Sequence, residues 1–387
     1  MMSQQRHVAL VPRDGFFAKD GRGWHTSSSG RGHGLDWPWP STVLGAIRTA
    51  WGRDEESRTG TTFSREDWRT RTAPIQLGRT LALRRKPGSA WQRQDIAWPV
   101  PMDALWFDEK REVSRLEPRP PLAPTLGRDT DAAREGLWRP VAEDANKPRP
   151  APRWWSDGDN TAWLAGEAVQ QRTDVLRTTR RLQVHVGIRD EEATADPGIL
   201  FSHDVVETLE LGAEWALGTE VTLPAGDLPD SVTLGSDSRL ARVEELPEEL
   251  FEAPAGVVAA FQRPCAGLRL VTVTPLCFNR GWLPDGFTES GGEYRGRLPG
   301  LPQELVLRAA LVPRPVHVSG WDMVRGVPKP TSRMVPPGAV YFFELADGTS
   351  LTEEVTDSMW LAALGARTDE GFGRVVPGVW RPLRNHL

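Results

Sequence analysis

Seven histidines, at positions 7, 25, 33, 185, 203, 317 and 386, are the first residues that could carry chemistry. None forms the His-x-x-x-His pair with a neighbouring Glu that binds catalytic zinc on one helix face. Two cysteines, Cys265 and Cys277, cannot complete a four-ligand zinc set. A Gly-x-Ser-x-Gly elbow and a phosphate-binding Gly-Lys-Ser/Thr loop are both absent. Metal-independent RNA cleavage needs one or two general acid/base groups beside the attacking 2′-hydroxyl. His25 and His33, in a basic loop, are the one pair of that kind. The expectation is no catalytic residue, no metal and no cofactor, which turns the reading to binding.

Cations and glycines suited to a polyanion fall at two places. Residues 18–36 make a polar, Gly-rich loop that carries Lys19, Arg22 and His25. Ser41 or Thr42 is then expected to cap a helix over Val43–Trp51, with apolar residues 43, 44, 47, 50 and 51 on one stripe and Arg48 near its edge. A helix N-terminus beside loop cations favours an anion, so Lys19, Arg22, His25 and Arg48 are expected to hold a sugar–phosphate backbone. The second place is Gly371-Phe372-Gly373-Arg374, after a helix expected over Thr352–Leu364 and closed by Gly365. Its glycines allow the backbone to approach RNA or to seat against the other half of the chain, and Arg374 is expected at a phosphate.

The chain that positions these residues has 387 residues, 39% of them hydrophobic, with 17 Trp and 12 Phe. That length predicts two domains, and the large rings suffice for two modest cores. Gly at 37 and Pro at 33 predict many turns and long loops. No apolar run is long enough to span a membrane, and Met1–Arg6 lacks the apolar core of a signal peptide. Two thiols fit a reducing cytoplasm. The net charge of −5 argues against a generic polyanion binder, but it is unevenly placed. Residues 1–186 hold 30 Lys+Arg against 23 Asp+Glu, and residues 187–298 hold 8 against 20. A basic half beside an acidic middle suits one polyanionic partner and further protein partners. Only 5 of 47 cations are Lys; Arg favours bidentate phosphate contacts, although a GC-rich genome gives the same bias.

Strands are predicted over His7–Phe17, Ile75–Leu83, Leu182–Ile188, from Gly198, over Leu268–Pro275, Pro313–Ser319 and Gly338–Leu345, with a short element over Asp95–Pro101, a strand–turn–strand over Leu209–Leu223 and a Gly turn before a basic strand over Leu234–Val243. Leu182–Ile188 alternates as a half-buried strand. Residues 52–72 read as irregular. Residues 117–162, rich in Pro, Arg and Trp, read as an extended insertion. Strands with one or two helices in each half predict an α+β class.

Several motifs resemble one family in its own order along the chain. They are Trp37-Pro38-x-Pro40-Ser41-Thr42-x-x-Gly45-Ala46-x-Arg48, Val186-Gly187-Ile188 with Gly198-Ile199-Leu200-Phe201-Ser202, Leu234-Gly235-Ser236-Asp237-Ser238-Arg239, and Gly371-Phe372-Gly373. The most specific is Val318-Ser319-Gly320-Trp321-Asp322-Met323, continued by Gly326-Val327-Pro328-Lys329-Pro330 and Arg333–Glu344. Together they resemble the RAMP-superfamily subunit that caps the foot of type III-B (Cmr-module) CRISPR–Cas effector complexes; the type III-A counterpart is similar in architecture. The resemblance implies two ferredoxin-like (RRM-type) domains, 1–185 and 186–387, with the insertion at about 117–162. It implies a cytoplasmic, non-catalytic subunit that grips the 5′ handle of the CRISPR RNA. Partners would be the large polymerase/cyclase-type subunit, the backbone RAMP subunits and, indirectly, target RNA, with no membrane. Lys329 and Arg333 join Lys19, Arg22, His25, Arg48, Gly371, Phe372, Gly373 and Arg374 as the expected RNA-binding set. The alternative is a metal-independent CRISPR RNA-processing endoribonuclease on the same fold; a scaffold without RNA contact is the third reading.

Overall fold

This computed structural model describes residues 4–19, 31–32, 34–120, 136–174, 176–189, 191–210, 212–224, 226–322 and 325–382. Strands dominate and helices are few, an α+β arrangement. The first strands are β1 (Gln4–Pro12), β2 (Gln76–Arg85), β3 (Ile96–Pro99), β4 (Trp154–Ser156), β5 (Thr179–Arg189) and β6 (Thr194–Glu207). Then come β7 (Ala213–Leu223), β8 (Ser231–Leu234), β9 (Arg239–Glu245), β10 (Gly267–Thr272) and β11 (Leu305–Leu311). The last are β12 (Val316–Val318), β13 (Ser332–Met334), β14 (Val340–Leu345) and β15 (Arg374–Trp380). Helices are α1 (Pro40–Thr59), α2 (Arg65–Thr72), α3 (Asp157–Leu164), α4 (Ala255–Phe261) and α5 (Glu354–Met359).

The first large sheet runs β8-β9-β1-β7-β2-β3-β4, and the second is centred on β11-β14-β10-β15. β1 shows why both sheets bury so well. Val8 and Leu10 pack with Val43, Leu44 and Ile47 of α1, while Ala9 and Val11 join the core that contains Leu268, Leu270 and Phe343 of the second sheet. A strand covered on both faces reads as a continuous apolar run, as Val8-Ala9-Leu10-Val11 does. β1 pairs with β7 on one side and β9 on the other. The first sheet therefore draws on residues from both sides of position 185, and the strands of the two large sheets divide between Glu245 and Gly267. The expected joint at 185 falls inside β5, which with β6 forms a long antiparallel arm inserted between β4 and β7.

Four expected elements differ. The stripe Val43, Leu44, Ile47, Trp51 is buried on α1, but Ser41 and Thr42 do not cap it: Pro40 opens the helix after Trp39, without a side-chain cap bond. Proline's fixed φ suits the first helical position, where its missing N–H costs nothing. Residues 52–72 are helical on both sides of a connection at 60–64, not irregular throughout: α1 continues to Thr59, and Ser64 with Asp67 forms a capping box on α2. Phe63 and Trp68 are the only large apolar side chains in this stretch, too few to show an amphipathic period. The insertion is packed at its C-terminal end: β4 adds to the first sheet, and α3 buries Trp163 and Leu164. Trp98 Nε1 donates to Asp157 Oδ1 at 2.9 Å, fixing the start of α3 against β3. α5 stops at Met359, short of the expected Leu364, because Leu361 adopts a left-handed φ of 53° and Ala362–Ala363 pairs with β15. No helix among the described residues is long and apolar enough to cross a membrane.

Candidate functional site

Gly371 and Gly373 have φ of 87° and 83°, the region that residues with a Cβ rarely adopt. A Cβ on Gly371 would lie 2.9 Å from Thr80 Oγ1 and 3.0 Å from Pro40 Cβ; on Gly373 it would lie 2.2 Å from the Leu364 carbonyl oxygen. Gly371 thus permits a close approach to the first sheet and α1, and Gly373 one to the backbone of Leu364. Phe372 between them is fully buried with Trp39, Val318 and Met334. Leu77 N–H donates to Asp369 O at 2.8 Å, so β2 is bonded to the loop backbone. The loop is a seam between the two sheets.

Arg374 belongs to that seam. Its side chain is buried, and Nη2 donates to Thr368 O at 2.9 Å and Leu77 O at 3.4 Å. Burial lowers its pKa, Glu220 opposes that, and Arg79 adds to it. A guanidinium spent on two carbonyls inside the core is not available to a phosphate, which corrects the role expected for Arg374. Arg48 is brought to the same seam. It donates to Ile75 O, from Nη2 at 2.8 Å and Nε at 3.3 Å. Burial lowers its pKa, against the pull of Glu370 and Asp369. Glu370 is in turn paired with Arg367 at 2.7 Å, and the Arg367 guanidinium lies 4.8 Å from the Phe372 ring centre. Lys19 sits elsewhere, its backbone bridged to Gly34. Arg22 and His25 lie outside the described residues, so the expected corner of Lys19, Arg22, His25 and Arg48 is not assembled on what is described.

Lys329 and Arg333 lead to a surface the sequence only half disclosed. β12 pairs with β13, placing His317 opposite Arg333. Val318 and Met334 root this hairpin in the Phe372 cluster, beside the seam. The outward positions are exposed: Arg314, His317, Arg325, Lys329 and Arg333, with Trp321 44% exposed among them. Asp322, half-buried beside Arg325 at 3.9 Å, is the one carboxylate in the segment. Arg314, His317 and Arg325 were missed, although the alternation Val316-His317-Val318 marks His317 as outward once Val318 is taken as core.

The β5–β6 arm carries a second exposed surface. Its alternation is as expected, but its sides are reversed. Leu182, Val184, Val186, Ile188 and Leu200 are exposed, with Val184 at 58% and Ile188 at 62%, while Gln183 and His185 face inward. His203, opposite Gln183, is buried and stacks on Phe17 at 4.5 Å. Burial lowers the His203 pKa, Asp237 opposes, and His185 and Arg239 add to the lowering.

Known proteins match along nearly the whole chain. The model of the family described as CRISPR-associated protein (Cas_Cmr3) matches residues 8–380. Two solved structures contain similar chains. One is the Type III-B Cmr-beta bound to cognate target RNA, at 11% identity and a TM-score of 0.43, with 87% of this chain and 86% of that chain covered. The other is the Type III-B Cmr-beta bound to cognate target RNA and AMPPnP in state 1, at 10% identity and a TM-score of 0.43, with the same shares covered. No curated protein matches the chain.

Proposed function

The chain belongs to the CRISPR-associated protein (Cas_Cmr3) family, and from that premise we propose that it is a non-catalytic, RNA-binding subunit of a type III-B effector. It holds the 5′ handle of the CRISPR RNA and bridges the large polymerase/cyclase-type subunit to the RAMP backbone. Strand order supports a double ferredoxin-like plan. In the first sheet β9-β1-β7-β2 follows the order four-one-three-two of a β-α-β-β-α-β unit, with α1 as its first helix. In the second, β15-β10-β14-β11 follows the same order, with α5 as the second helix.

The observation that carries RNA binding is the exposed basic segment Arg314–Arg333, rooted by Val318 and Met334 at the seam. Arg and Lys around an exposed indole suit a single-stranded handle, whose phosphates take the charge and whose unstacked bases take the ring. Arg325→Ala, Lys329→Ala and Arg333→Ala together are expected to release guide RNA from the assembled complex. Each charge-assisted hydrogen bond removed costs roughly 1.5–3 kcal/mol, and the slope of log affinity on log salt flattens by about 0.7 for each phosphate no longer neutralised. Guide content per complex and a salt titration check this. Unchanged retention and slope refute the handle-binding reading; normal binding with accumulation of unprocessed precursor would make the chain a nuclease.

The exposed apolar face of β5–β6 supports the protein-bridging part of the proposal. Five neighbouring aliphatic side chains left in water on a monomer mark an interaction surface. We assign that face to the first RAMP backbone subunit. Val184→Glu with Ile188→Glu is expected to cut co-purification of that subunit at least tenfold. The melting temperature of the isolated chain should stay within a few degrees, since both side chains are already exposed. Undiminished co-purification would overturn the assignment.

A further inference from the structure

The inner face of the β5–β6 arm points at a turn of the first sheet, and three potential ligands meet there. His185 lies on β5, His203 on β6, and Asp237 in the turn between β8 and β9. One donor atom from each lies within 4.8 Å of the other two. We propose that His185, His203 and Asp237 form a binding site for a divalent first-row metal cation, zinc being the probe of choice, which clamps the arm to the β8–β9 turn. This rests on the geometry of the three side chains and not on the RNA-binding reading.

Two further observations point to a ligand. His203 is 7% exposed, and its Nε2 is buried without a hydrogen-bond partner; the Asp237 Oδ2 atom lies 3.5 Å away. His185 Nε2 is likewise buried and unpartnered. Two orphaned imidazole nitrogens facing one carboxylate are costly for a fold unless something accepts their lone pairs. The rings are already ordered: His185 stacks on His203 at 4.6 Å and on Phe201 at 5.0 Å, and His203 on Phe17.

The donor set suits zinc or a related cation. Two neutral imidazoles and one carboxylate leave a fourth tetrahedral position for water, and Asp237 is the exposed member through which the ion would enter. Zinc–nitrogen bonds of about 2.05 Å put neighbouring donors about 3.3 Å apart, so the three side chains need close by no more than about 1.5 Å. Arg239, in the strand that follows the turn, donates to Asp14 at 2.8 Å and to Gln183 Oε1 at 3.0 Å. The Asp14 carboxylate offsets part of its charge.

The test uses the full chain, treated with a chelator, desalted and titrated with zinc chloride. Expected is one zinc per chain, and visible ligand-field absorption when cobalt(II) replaces it. Asp237→Asn and His185→Asn, chosen because neither side chain is fully buried, should each weaken zinc at least tenfold. Hydrogen exchange should slow in 179–207 and 235–238 on adding zinc to the wild type, and not in the variants. Equal zinc affinity in the wild type and the double variant would overturn the proposal. So would zinc binding that leaves exchange in those two segments unchanged, since the ion would then sit elsewhere.

Discussion

Asp103→Ala is expected to destabilise the chain by about 3–5 kcal/mol, the usual result of stripping the partner from a buried ion. Asp103 is 1% exposed and Arg269 2%. Arg269 Nε lies 3.3 Å from Asp103 Oδ2, and Trp163 Nε1 donates to Asp103 Oδ1 at 3.0 Å. Arg269 also donates to Trp163 O at 3.0 Å and Val379 O at 3.2 Å. One carboxylate thus ties the turn after β3 to α3, and through Arg269 to β10 and β15. Removing it leaves a buried guanidinium without a counter-ion and an indole N–H without an acceptor. Asp103→Asn keeps an acceptor for Trp163 but loses the charge, so it should fall between the wild type and the alanine variant. Asp103→Leu with Arg269→Met removes both charges and their desolvation cost, and should recover most of the loss. Denaturant midpoints of the purified chain check the series. A loss under about 1 kcal/mol for Asp103→Ala would mean that water reaches Arg269 and that the pair contributes little.

That pair also shows where sequence reasoning stops. Nothing local marks Asp103 or Arg269 as partners, since they are far apart in the chain and each looks like a surface charge. The same limit misplaced Arg374, whose burial depends on Leu77 and Thr368 closing over it. Local signals fared better. The α1 stripe, the apolar run of β1 and the alternation of β5 are all visible in the residues, because 3.6- and two-residue periods are properties of one element. Which face of β5 turns inward is not, because that depends on what covers the other face, and among the described residues nothing does. The joint expected at 185 falls within β5 and not where the strands of the two large sheets divide, for a related reason. β1 selects β7 and β9 as neighbours from across the chain, and strand pairing at that separation leaves no mark on composition. Gly371 and Gly373 were legible as backbone that needs φ above zero or a close approach; that the approach is to protein is a tertiary fact.

Gly373→Ala is expected to cost about 2–4 kcal/mol, in two separable parts. The first is conformational: at φ 83° a Cβ meets its own chain, worth about 1–2 kcal/mol. The second is the clash of that Cβ with the Leu364 carbonyl oxygen at 2.2 Å. A backbone oxygen cannot rotate aside as a side chain can, and Leu364 N–H is itself bonded to Gly373 O at 2.9 Å. Gly348→Ala is the control, because Gly348 has φ 70° and nothing within 4 Å of an added Cβ, so it should show the conformational part alone. Gly371→Ala should fall between the two, since the Thr80 side chain it meets at 2.9 Å can shift. The effect should reach the RNA surface as well. Phe372 is held between the two glycines and packs on Val318 and Met334, the residues that root the basic hairpin. Moving the loop moves that root, so guide RNA retention should fall in Gly373→Ala complexes at temperatures where the chain is still folded, although no exposed cation has been touched. If Gly373→Ala costs no more than Gly348→Ala, the seam yields without strain. If it costs more but retention is unchanged, the basic hairpin is anchored independently of Phe372.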